Sequence, residues 1–271
     1  MSEAAVELRV AQIAVWRRRT RAVRYTAYFA VAAAVAWSVE AIVIADTDWS
    51  RIVGGNVFDT LRSFLDLDLS ILPDLVQPTI ETILMATLAT LAGLVLAIPV
   101  AWLGASNVTP LGTLSYSIGR TLMTLSRSVH EIVWALIFVS AVGLGALAGV
   151  LAMAVRSVGF ISKTIAEAIE DVDPKPIEAI RAVGGTKFQV LMFGILPQIT
   201  PVFIGNMIFE WDINIRRSTI MGLVGAGGLG LALFRQMAMS NYGGIATVVL
   251  VVLSLIILAE VASYYARKAV I

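Results

Sequence analysis

Six long apolar stretches run along the chain, separated by shorter polar or glycine-rich segments. They extend from Tyr25 to Ala45, Ile80 to Leu103, Leu122 to Val142, Leu144 to Ile169, Val190 to Trp211 and Ile245 to Tyr264. A bilayer core ~30 Å thick needs roughly 20 apolar residues in each spanning helix. We therefore predict an all-α polytopic membrane protein with about six transmembrane helices. Only a turn around Gly143 and Gly145 separates the third and fourth stretches, so these two should form a helical hairpin.

Composition supports this class and excludes several others. Of the 271 residues, 58% are hydrophobic and 14% are charged, whereas soluble domains carry about 25% charged residues. The 20 basic and 19 acidic residues give a net charge of +1, which argues against nucleic acid as a partner. The chain has no cysteine and a single histidine. Thiolate and multi-histidine metal sites are therefore excluded, and we predict no metal site.

The first 24 residues are strongly basic and precede the first apolar stretch. They contain six arginines, interleaved with apolar residues such as Leu8, Ile13 and Trp16. This pattern predicts an amphipathic segment over residues 1–24 that lies on the inner membrane surface; a disordered basic tail is the alternative. Residues 25–74 should then form the first transmembrane helix and an external loop, and residues 75–266 the transmembrane core.

The distribution of charge predicts the orientation of the chain. Six spans place both termini on one side, and an inside location gives the inner segments 14 Lys and Arg against five in the outer segments. Lys and Arg accumulate on the cytoplasmic side of membrane proteins. The loop from Asp46 to Asp74 carries six aspartates and two arginines, which suits an external position. We expect both termini to be cytoplasmic.

The segment between the fourth and fifth stretches, EDVDPKPIEAIRAVGGTKFQVLMFGILP from Glu170, is too charged to cross the membrane. Asp173 can cap a helix whose first turn holds Pro174 or Pro176. The pair Gly184–Gly185 should end that helix. We predict a short helix at 174–186 along the inner membrane face, followed by a second helix that starts near Thr186 and enters the fifth span. Composition alone would favour an ordinary connecting loop.

This segment resembles the membrane subunits of ABC importers. Glu178-Ala179, Gly184 and Leu196-Pro197 match their pattern E-A-A-x3-G-x9-I-x-L-P, although Ile180 replaces the second Ala and Gly194 replaces the Ile. The stretches RSVHEIVWALIFVSAVGLG and FEWDINIRRSTIMGLVGAGGLGLAL are similar to the phosphonate-type permease subfamily, in which Pro is usual at the position of His130. The resemblance covers roughly residues 75 to 265, the predicted transmembrane core.

The resemblance implies a type I ABC importer permease fold with a cytoplasmic coupling helix seated on a separate ATPase subunit. The coupling residues would be Pro176, Ile177, Glu178, Ala179, Ile180, Arg181, Ala182, Gly184 and Lys187. It also implies a multi-pass protein of a bacterial plasma membrane that pairs with a second copy of itself. Its other partners would be two cytoplasmic ATP-binding subunits, an extracytoplasmic solute-binding protein and membrane lipid.

The same resemblance implies a transport subunit without a catalytic site of its own. ATP and Mg would bind the partner ATPase, and this chain would bind no cofactor. The cargo would be a small phosphorus oxyanion: phosphonate, phosphate or phosphite. Methionine or another amino acid is an alternative cargo. A stand-alone secondary transporter or a membrane enzyme is a further alternative, but the chain shows neither an internal repeat nor converging catalytic groups.

Ionisable groups within the spans are candidates for the substrate path, because such groups are costly in hydrocarbon. The candidate positions are Arg127, His130, Glu131, Arg156, Asn214, Arg216, Arg217, Gly225, Gly227 and Gly228. Arg156 should lie deepest, either in an ion pair with an acid such as Glu131 or facing an anion in the pore. Arg216 and Arg217 either neutralise Glu210 and Asp212 in one cluster or present a fork to a phosphorus oxyanion. His130 either marks a helix bend or packs ordinarily.

The run from Gly225 to Gly230 satisfies G-x-G-x-x-G, but it lacks the flanking strand and the later acid of a dinucleotide site. We interpret it instead as a non-helical or re-entrant segment that lines a cavity, which is tolerated at membrane depth only where protein or water covers it. Its backbone N–H groups could form an anion-binding nest.

Overall fold

Helix α1 runs unbroken from Glu3 to Ser38 and continues as a π-helix over Val39–Ile44 in the computed structural model, which describes residues 3–44 and 56–270. The chain forms two compact units, Met1–Leu61 and Arg62–Ile271. The basic N-terminal residues are helical, but no break separates them from the span. No glycine or proline occurs in α1 to interrupt it. The predicted boundary between the surface segment and the first span, at residue 24, falls within this continuous helix, and residues 45–55 of the predicted external loop lie outside the described residues.

The remaining helices follow one another with short connections. They are α2 (Asn56–Ser63), α3 (Leu72–Gly104), α4 (Thr113–Ser128), α5 (Glu131–Val142), α6 (Ala146–Glu170), α7 (Pro174–Ala182), α8 (Leu196–Met221), α9 (Gly228–Ala238) and α10 (Tyr242–Val270). Across the described ranges, five helical segments are long and apolar enough to cross a membrane, or six if a bent pair counts as one span. This agrees with the hydropathy pattern.

The bent pair consists of α4 and α5, which meet at an angle of 90°. The sequence predicted one span from Leu122 to Val142, and that prediction is wrong in shape. The helix stops at Ser128 because Val129 and His130 adopt extended backbone angles, and the His130 side chain caps the new helix by accepting from Ile132 N at 3.3 Å. The bend at His130, one of the two alternatives for this residue, is thus present, and it divides the span.

Small residues let the helices of the second unit approach closely. A Cβ added at Gly119 of α4 would lie 2.5 Å from the backbone N of Gly104, and one at Gly93 of α3 would lie 2.5 Å from the Ser157 side chain. Buried alanines such as Ala97 and Ala166 continue these contacts. Small residues are common where helices pack in membranes. They let the backbones approach closely, and van der Waals contacts then stabilise the association in place of the hydrophobic effect.

Glycines also end α5 and turn the chain into α6. Gly143 and Gly145 have φ values of +91° and +140°, which side chains disfavour. Gly145 N donates to Gly225 O at 3.0 Å. The turn therefore joins the predicted hairpin of α5 and α6 to the glycine-rich segment before α9.

Helix α7 and the chain that follows it lie between the spans α6 and α8. Asp173 caps α7 by accepting from Lys175 N at 3.0 Å, and Gly184 turns the chain with φ +83°. Helix resumes at Lys187–Gln189 and passes through a π-helical turn, Val190–Ile195, into α8. The predicted helix starts at the expected residue but ends at Ala182, four residues before the predicted end.

Candidate functional site

A buried polar network joins α3, α6 and α8 near the middle of these helices. Glu210 and Asn214 of α8 are both fully buried. Ser157 Oγ donates to Glu210 Oε1 at 2.8 Å, and Asn214 Nδ2 donates to Ser157 Oγ at 3.0 Å and to Thr90 Oγ1 at 2.9 Å. Arg217 Nη1 donates to Glu210 Oε1 at 2.7 Å and to Asn214 Oδ1 at 3.1 Å. One side chain from each of α3 and α6 and three from α8 are thus held together.

The network extends through Arg217 to α5 and α6. Arg217 Nε lies 3.8 Å from one oxygen of Glu131, and Arg156 Nε lies 3.8 Å from the other. Arg156 Nη1 also donates to Arg127 O at 2.6 Å. The ion pair of Arg156 with Glu131, one of the two predicted alternatives, is therefore present.

Two guanidinium groups and two carboxylates balance in this network, which suits a structural role in a low-dielectric layer. Glu210 Oε2 and Arg156 Nε are buried and have no hydrogen-bond partner within the described residues. Most buried polar atoms in proteins are hydrogen-bonded. These two atoms can therefore accept or donate one further bond, to water or to a passing ion.

Arg216 belongs to a second cluster on the opposite side of α8. Its Nη2 donates to Asp212 Oδ2 at 2.8 Å and lies 3.4 Å from Glu260 Oε2 of α10. The sequence grouped Glu210, Asp212, Arg216 and Arg217 as one possible cluster, and the structure separates them into two. Adjacent residues of a helix do not face each other, whereas residues four apart do.

The glycine-rich segment is non-helical only over residues 225–227, because Gly228–Gly230 begin helix α9, and several of its amide groups already have acceptors in the chain. Gly225, Gly227 and Gly228 have φ values of +86°, +89° and +66°. Gly228 N donates to Glu81 Oε2 at 3.1 Å, and Leu229 N donates to the Thr82 hydroxyl at 2.9 Å.

One amide of the predicted anion nest, Gly228 N, is therefore occupied by a carboxylate of the chain itself. A negative side chain at the first turn of a helix is favourable, and Glu81 takes that place at α9. The carboxylate ties α3 to the start of α9.

Helix α7 presents one face to the protein and the other outward. Ile177 and Ile180 are partly buried and pack on the π-helical turn, where a Cβ added at Gly194 would lie 3.3 Å from each of them. Pro176, Glu178, Ala179, Arg181 and Ala182 are exposed, as are Val183 and Gly184. The side chain of Lys187 lies outside the described part of the chain.

The two departures from the importer pattern meet at this contact. The pattern places Ala at position 180 and Ile at position 194, whereas this chain has Ile180 and Gly194. The larger residue has moved from the π-helical turn to α7, so that the volume between them is conserved. This is the geometry of a short helix held firmly by its inner face while its outer face is free.

A family model described as "Binding-protein-dependent transport system inner membrane component" matches residues 93–271, which include α4 to α10. The chain belongs to this family. The permease is thus the inner-membrane component of a binding-protein-dependent transport system, and the predicted class of transport subunit is confirmed.

Two relatives of the permease are named for the transport of phosphorus compounds. The phosphite transport system permease protein PtxC of Stutzerimonas stutzeri is 42% identical over 193 residues, which cover 71% of this chain and 70% of that protein. The phosphate-import permease protein PhnE of Mycolicibacterium smegmatis is 38% identical over 195 residues, which cover 72% of this chain but only 36% of that relative's length.

Solved structures confirm the predicted importer permease fold. An inward-facing methionine ABC transporter superposes with a TM-score of 0.66 at 23% identity, over 76% of this chain and 100% of that chain. An amino acid ABC transporter superposes with a TM-score of 0.62 at 19% identity, over 74% of this chain and 96% of that chain. At these identities the likeness concerns the fold.

The permease brings some of the predicted path residues together and separates others. Glu131, Arg156, Asn214 and Arg217 share one network, whereas Arg216 and the three glycines lie elsewhere. His130 caps α5, and its side chain is 63% exposed, 3.9 Å from a Glu131 oxygen. Arg127 lines a cavity between α4 and α6, together with Arg156 of the network.

Sequence reasoning missed Glu81, Thr90 and Ser157. Glu81 carried a usable signal, because it is an acid inside a long apolar stretch. Thr90 and Ser157 gave no signal, since hydroxyl residues often satisfy their hydrogen bonds within their own helix.

Proposed function

We propose that this permease forms the pore of an ATP-driven importer for a small phosphorus oxyanion, such as phosphite, phosphate or phosphonate. The observation that carries the proposal is the 42% identity, over most of both chains, to a protein named as a phosphite permease. A D-methionine permease of Pasteurella multocida is only 26% identical over 56% of this chain. Cationic side chains at membrane depth support an anionic cargo, because they lower the cost of moving an anion through hydrocarbon.

Helix α7 is the element through which a separate ATPase would drive transport. Its inner face is fixed by Ile177 and Ile180, so that a push on the exposed face is transmitted to the π-helical turn and α8. π-Helical turns are irregular and frequent at functional sites. In this proposal ATP and Mg bind the ATPase, two copies of each chain assemble, and an extracytoplasmic binding protein delivers the anion. Both termini and α7 are then cytoplasmic.

The direct test is uptake by the complex of the permease with its ATPase and its binding protein. Reconstituted vesicles should take up radiolabelled phosphite, phosphate or a phosphonate when ATP is supplied, and should not take up methionine. Methionine uptake without oxyanion uptake would contradict the proposed cargo. Uptake by the permease alone would contradict the coupling to an ATPase.

Substitution of Glu178 tests the coupling face. Glu178 is exposed on α7, so Glu178→Arg should leave the fold intact and lower ATP-driven uptake by about tenfold or more, equivalent to ~1.4 kcal/mol. Asp74→Arg is the matched charge reversal, at an exposed position in the first turn of α3, and should transport normally. Equal uptake by wild type and Glu178→Arg would contradict the assignment of α7.

A further inference from the structure

A cavity of about 250 Å³ between α4 and α6 is lined mainly by cationic side chains. Arg120, Arg127, Arg156 and Lys163 line it, with Thr124 and Ser128 contributing hydroxyl groups. No acidic side chain is among the lining residues that the structure describes. A concentration of one sign of charge in a recess focuses the electrostatic potential and raises the local concentration of the opposite ion.

Two of the four cations are engaged by carboxylates behind the cavity wall. Arg120 Nη2 lies 2.8 Å from both oxygens of Glu170, and Arg120 Nε donates to Gly104 O at 2.9 Å. Lys163 Nζ lies 3.5 Å from Glu167, in a pair whose two side chains are both almost half exposed. Arg120 is therefore fixed in place, whereas a pair as exposed as that of Lys163 is weak and can exchange partners.

The other two cations retain unused hydrogen-bond donors. Arg127 contributes its carbonyl to Arg156, but its guanidinium has no acceptor in the part of the chain that the structure describes. Arg156 Nε is buried without a hydrogen-bond partner. The carboxylate nearest to Arg156, that of Glu131, is shared with Arg217.

A count of charges around the cavity and the adjoining network leaves one cation in excess. The cations are Arg120, Arg127, Arg156, Lys163 and Arg217, and the carboxylates are Glu131, Glu167, Glu170 and Glu210. A charge within a membrane span costs at least ~2.5–3.5 kcal/mol unless it is compensated. The excess cation therefore favours a bound anion.

The orientation of α4 separates this cavity from the apolar surface of the helix. Exposed Leu114, Ile118, Leu122 and Leu125 form one face of α4, and the residues that line the cavity lie on the other, as helical spacing requires. The apolar face suits hydrocarbon or a protein neighbour. The cationic face suits a water-filled path, through which an anion can reach the cavity.

We propose that this cavity binds a tetrahedral phosphate-type group, held by Arg127, Lys163 and Arg156. Guanidinium groups form short, charge-assisted bonds to phosphate oxygens, and often two at once. The volume leaves room for such a group and a few waters, at ~30 Å³ for each water. Two sources carry this chemistry, a free phosphorus oxyanion and the headgroup of an anionic phospholipid. The site itself does not depend on the proposed function. A free oxyanion as its occupant rests on the proposed function of oxyanion import.

The test compares the full-length wild-type chain with Arg127→Gln/Lys163→Gln in nanodiscs of phosphatidylcholine, without the binding protein. Binding of radiolabelled inorganic phosphate should weaken at least about tenfold in the double variant. Arg235→Gln is the control, because Arg235 is an exposed arginine in the last turn of α9 and does not line the cavity. Arg127→Lys keeps the charge and should retain most of the binding.

A second arm identifies the source of the anion. Native mass spectrometry should show whether phosphatidylglycerol copurifies with the wild type and is lost from the double variant. Loss of phosphatidylglycerol, with no phosphate binding by the wild type, supports the site with lipid as its occupant. Loss of phosphate binding in the double variant, with no change in the copurified phosphatidylglycerol, supports the free oxyanion as the occupant.

The proposal is overturned if the wild type and the double variant bind phosphate equally and also copurify with equal amounts of phosphatidylglycerol. It is also overturned if Arg235→Gln weakens binding equally, since the effect would then be one of total charge. Elution of the double variant at the same volume as the wild type in size-exclusion chromatography establishes that it folds. If the double variant does not fold, the single variants decide: Arg127→Gln must lose the phosphate binding that Arg127→Lys retains. Oxyanion uptake that is equal in the wild type and the double variant would exclude a transported oxyanion as the occupant of this cavity, while leaving the proposed function in place.

Discussion

Removal of the Glu210 charge is the perturbation that most directly tests the buried network. Glu210 is fully buried, and Arg217 Nη1 lies 2.7 Å from its Oε1. Glu210→Gln keeps an acceptor for Ser157 but leaves the guanidinium with the Asn214 amide oxygen and with one carboxylate, that of Glu131 at 3.8 Å. Breaking a buried pair from one side costs 3–5 kcal/mol. Because Glu131 remains, we expect the lower end of this range, about 3 kcal/mol.

The reciprocal variant should cost more. Arg217→Gln leaves the Glu210 carboxylate buried with the Ser157 hydroxyl as its donor, so we expect about 4–5 kcal/mol. The double variant removes both charges and leaves Glu131 with Arg156, so its network is neutral again. It should be more stable than either single variant, because an uncompensated charge costs more than a lost pair.

The measurement is a double-mutant cycle of unfolding free energies, from denaturant titration of the protein in mixed micelles followed by circular dichroism. The control cycle uses Lys163→Gln and Glu167→Gln, a pair at 3.5 Å whose side chains are 42% and 48% exposed. An exposed pair of this kind should couple by about 1 kcal/mol or less. The reasoning is refuted if Glu210 and Arg217 couple by no more than ~0.6 kcal/mol, the average of ordinary hydrogen bonds between membrane helices.

Three further changes test other contacts. Gly194→Ile should clash with Ile180 and destabilise α7 by about 1–3 kcal/mol, and addition of Ile180→Ala should restore ATP-driven uptake; failure of that rescue would show that the two positions are independent. Glu81→Ala should release Gly228 N and lower the thermal midpoint by a few degrees, equivalent to ~1–3 kcal/mol, whereas an unchanged midpoint would mean that the carboxylate contributes nothing. Gly119→Leu should prevent α4 from packing on α3, as protease sensitivity of the α3–α4 connection would reveal, and normal resistance would contradict the observed crossing.

Hydropathy predicted the number of spans well because membrane helices must satisfy their backbone groups internally. It did not reveal that the span from Leu122 to Val142 is divided, since a break of two residues barely changes the mean hydropathy. The cluster of arginines before residue 25 also predicted a boundary at residue 24, between a surface segment and the first span. The structure shows that α1 continues through this point, because charged residues do not interrupt a helix as glycine or proline does.

The importer motif predicted the position of α7, but it did not explain the two residues at which this chain departs from the motif. Ile180 and Gly194 each depart from the importer pattern when they are considered singly. Only the packing of α7 on the π-helical turn shows that one departure compensates the other. The volumes of residues 14 positions apart become related when a fold brings them into contact, and one sequence carries no record of that relation.

Charge composition predicted that ionisable residues lie in the spans, but not which of them compensate each other. Arg216 and Arg217 are adjacent in sequence, and the helix directs them to different acids. Glu131 is adjacent to His130, yet its carboxylate lies between Arg156 and Arg217. Such partners depend on tertiary geometry, and a net charge of +1 conceals them.

The compensated and uncompensated charges of the permease therefore predict different consequences of mutation. In the network of Glu210, Arg217 and Glu131, the charges balance, so a change there should alter stability before it alters selectivity. At Arg127 the charge has no partner within the described residues, so its removal should cost little stability and should change what binds. Arg127 is exposed and its side chain makes no hydrogen bond or ion pair in the part of the chain that the structure describes, so an effect of its removal on binding would point to an incoming ligand rather than to packing. If Arg127→Gln destabilised the protein as strongly as Glu210→Gln, this distinction between structural and functional charge would be wrong.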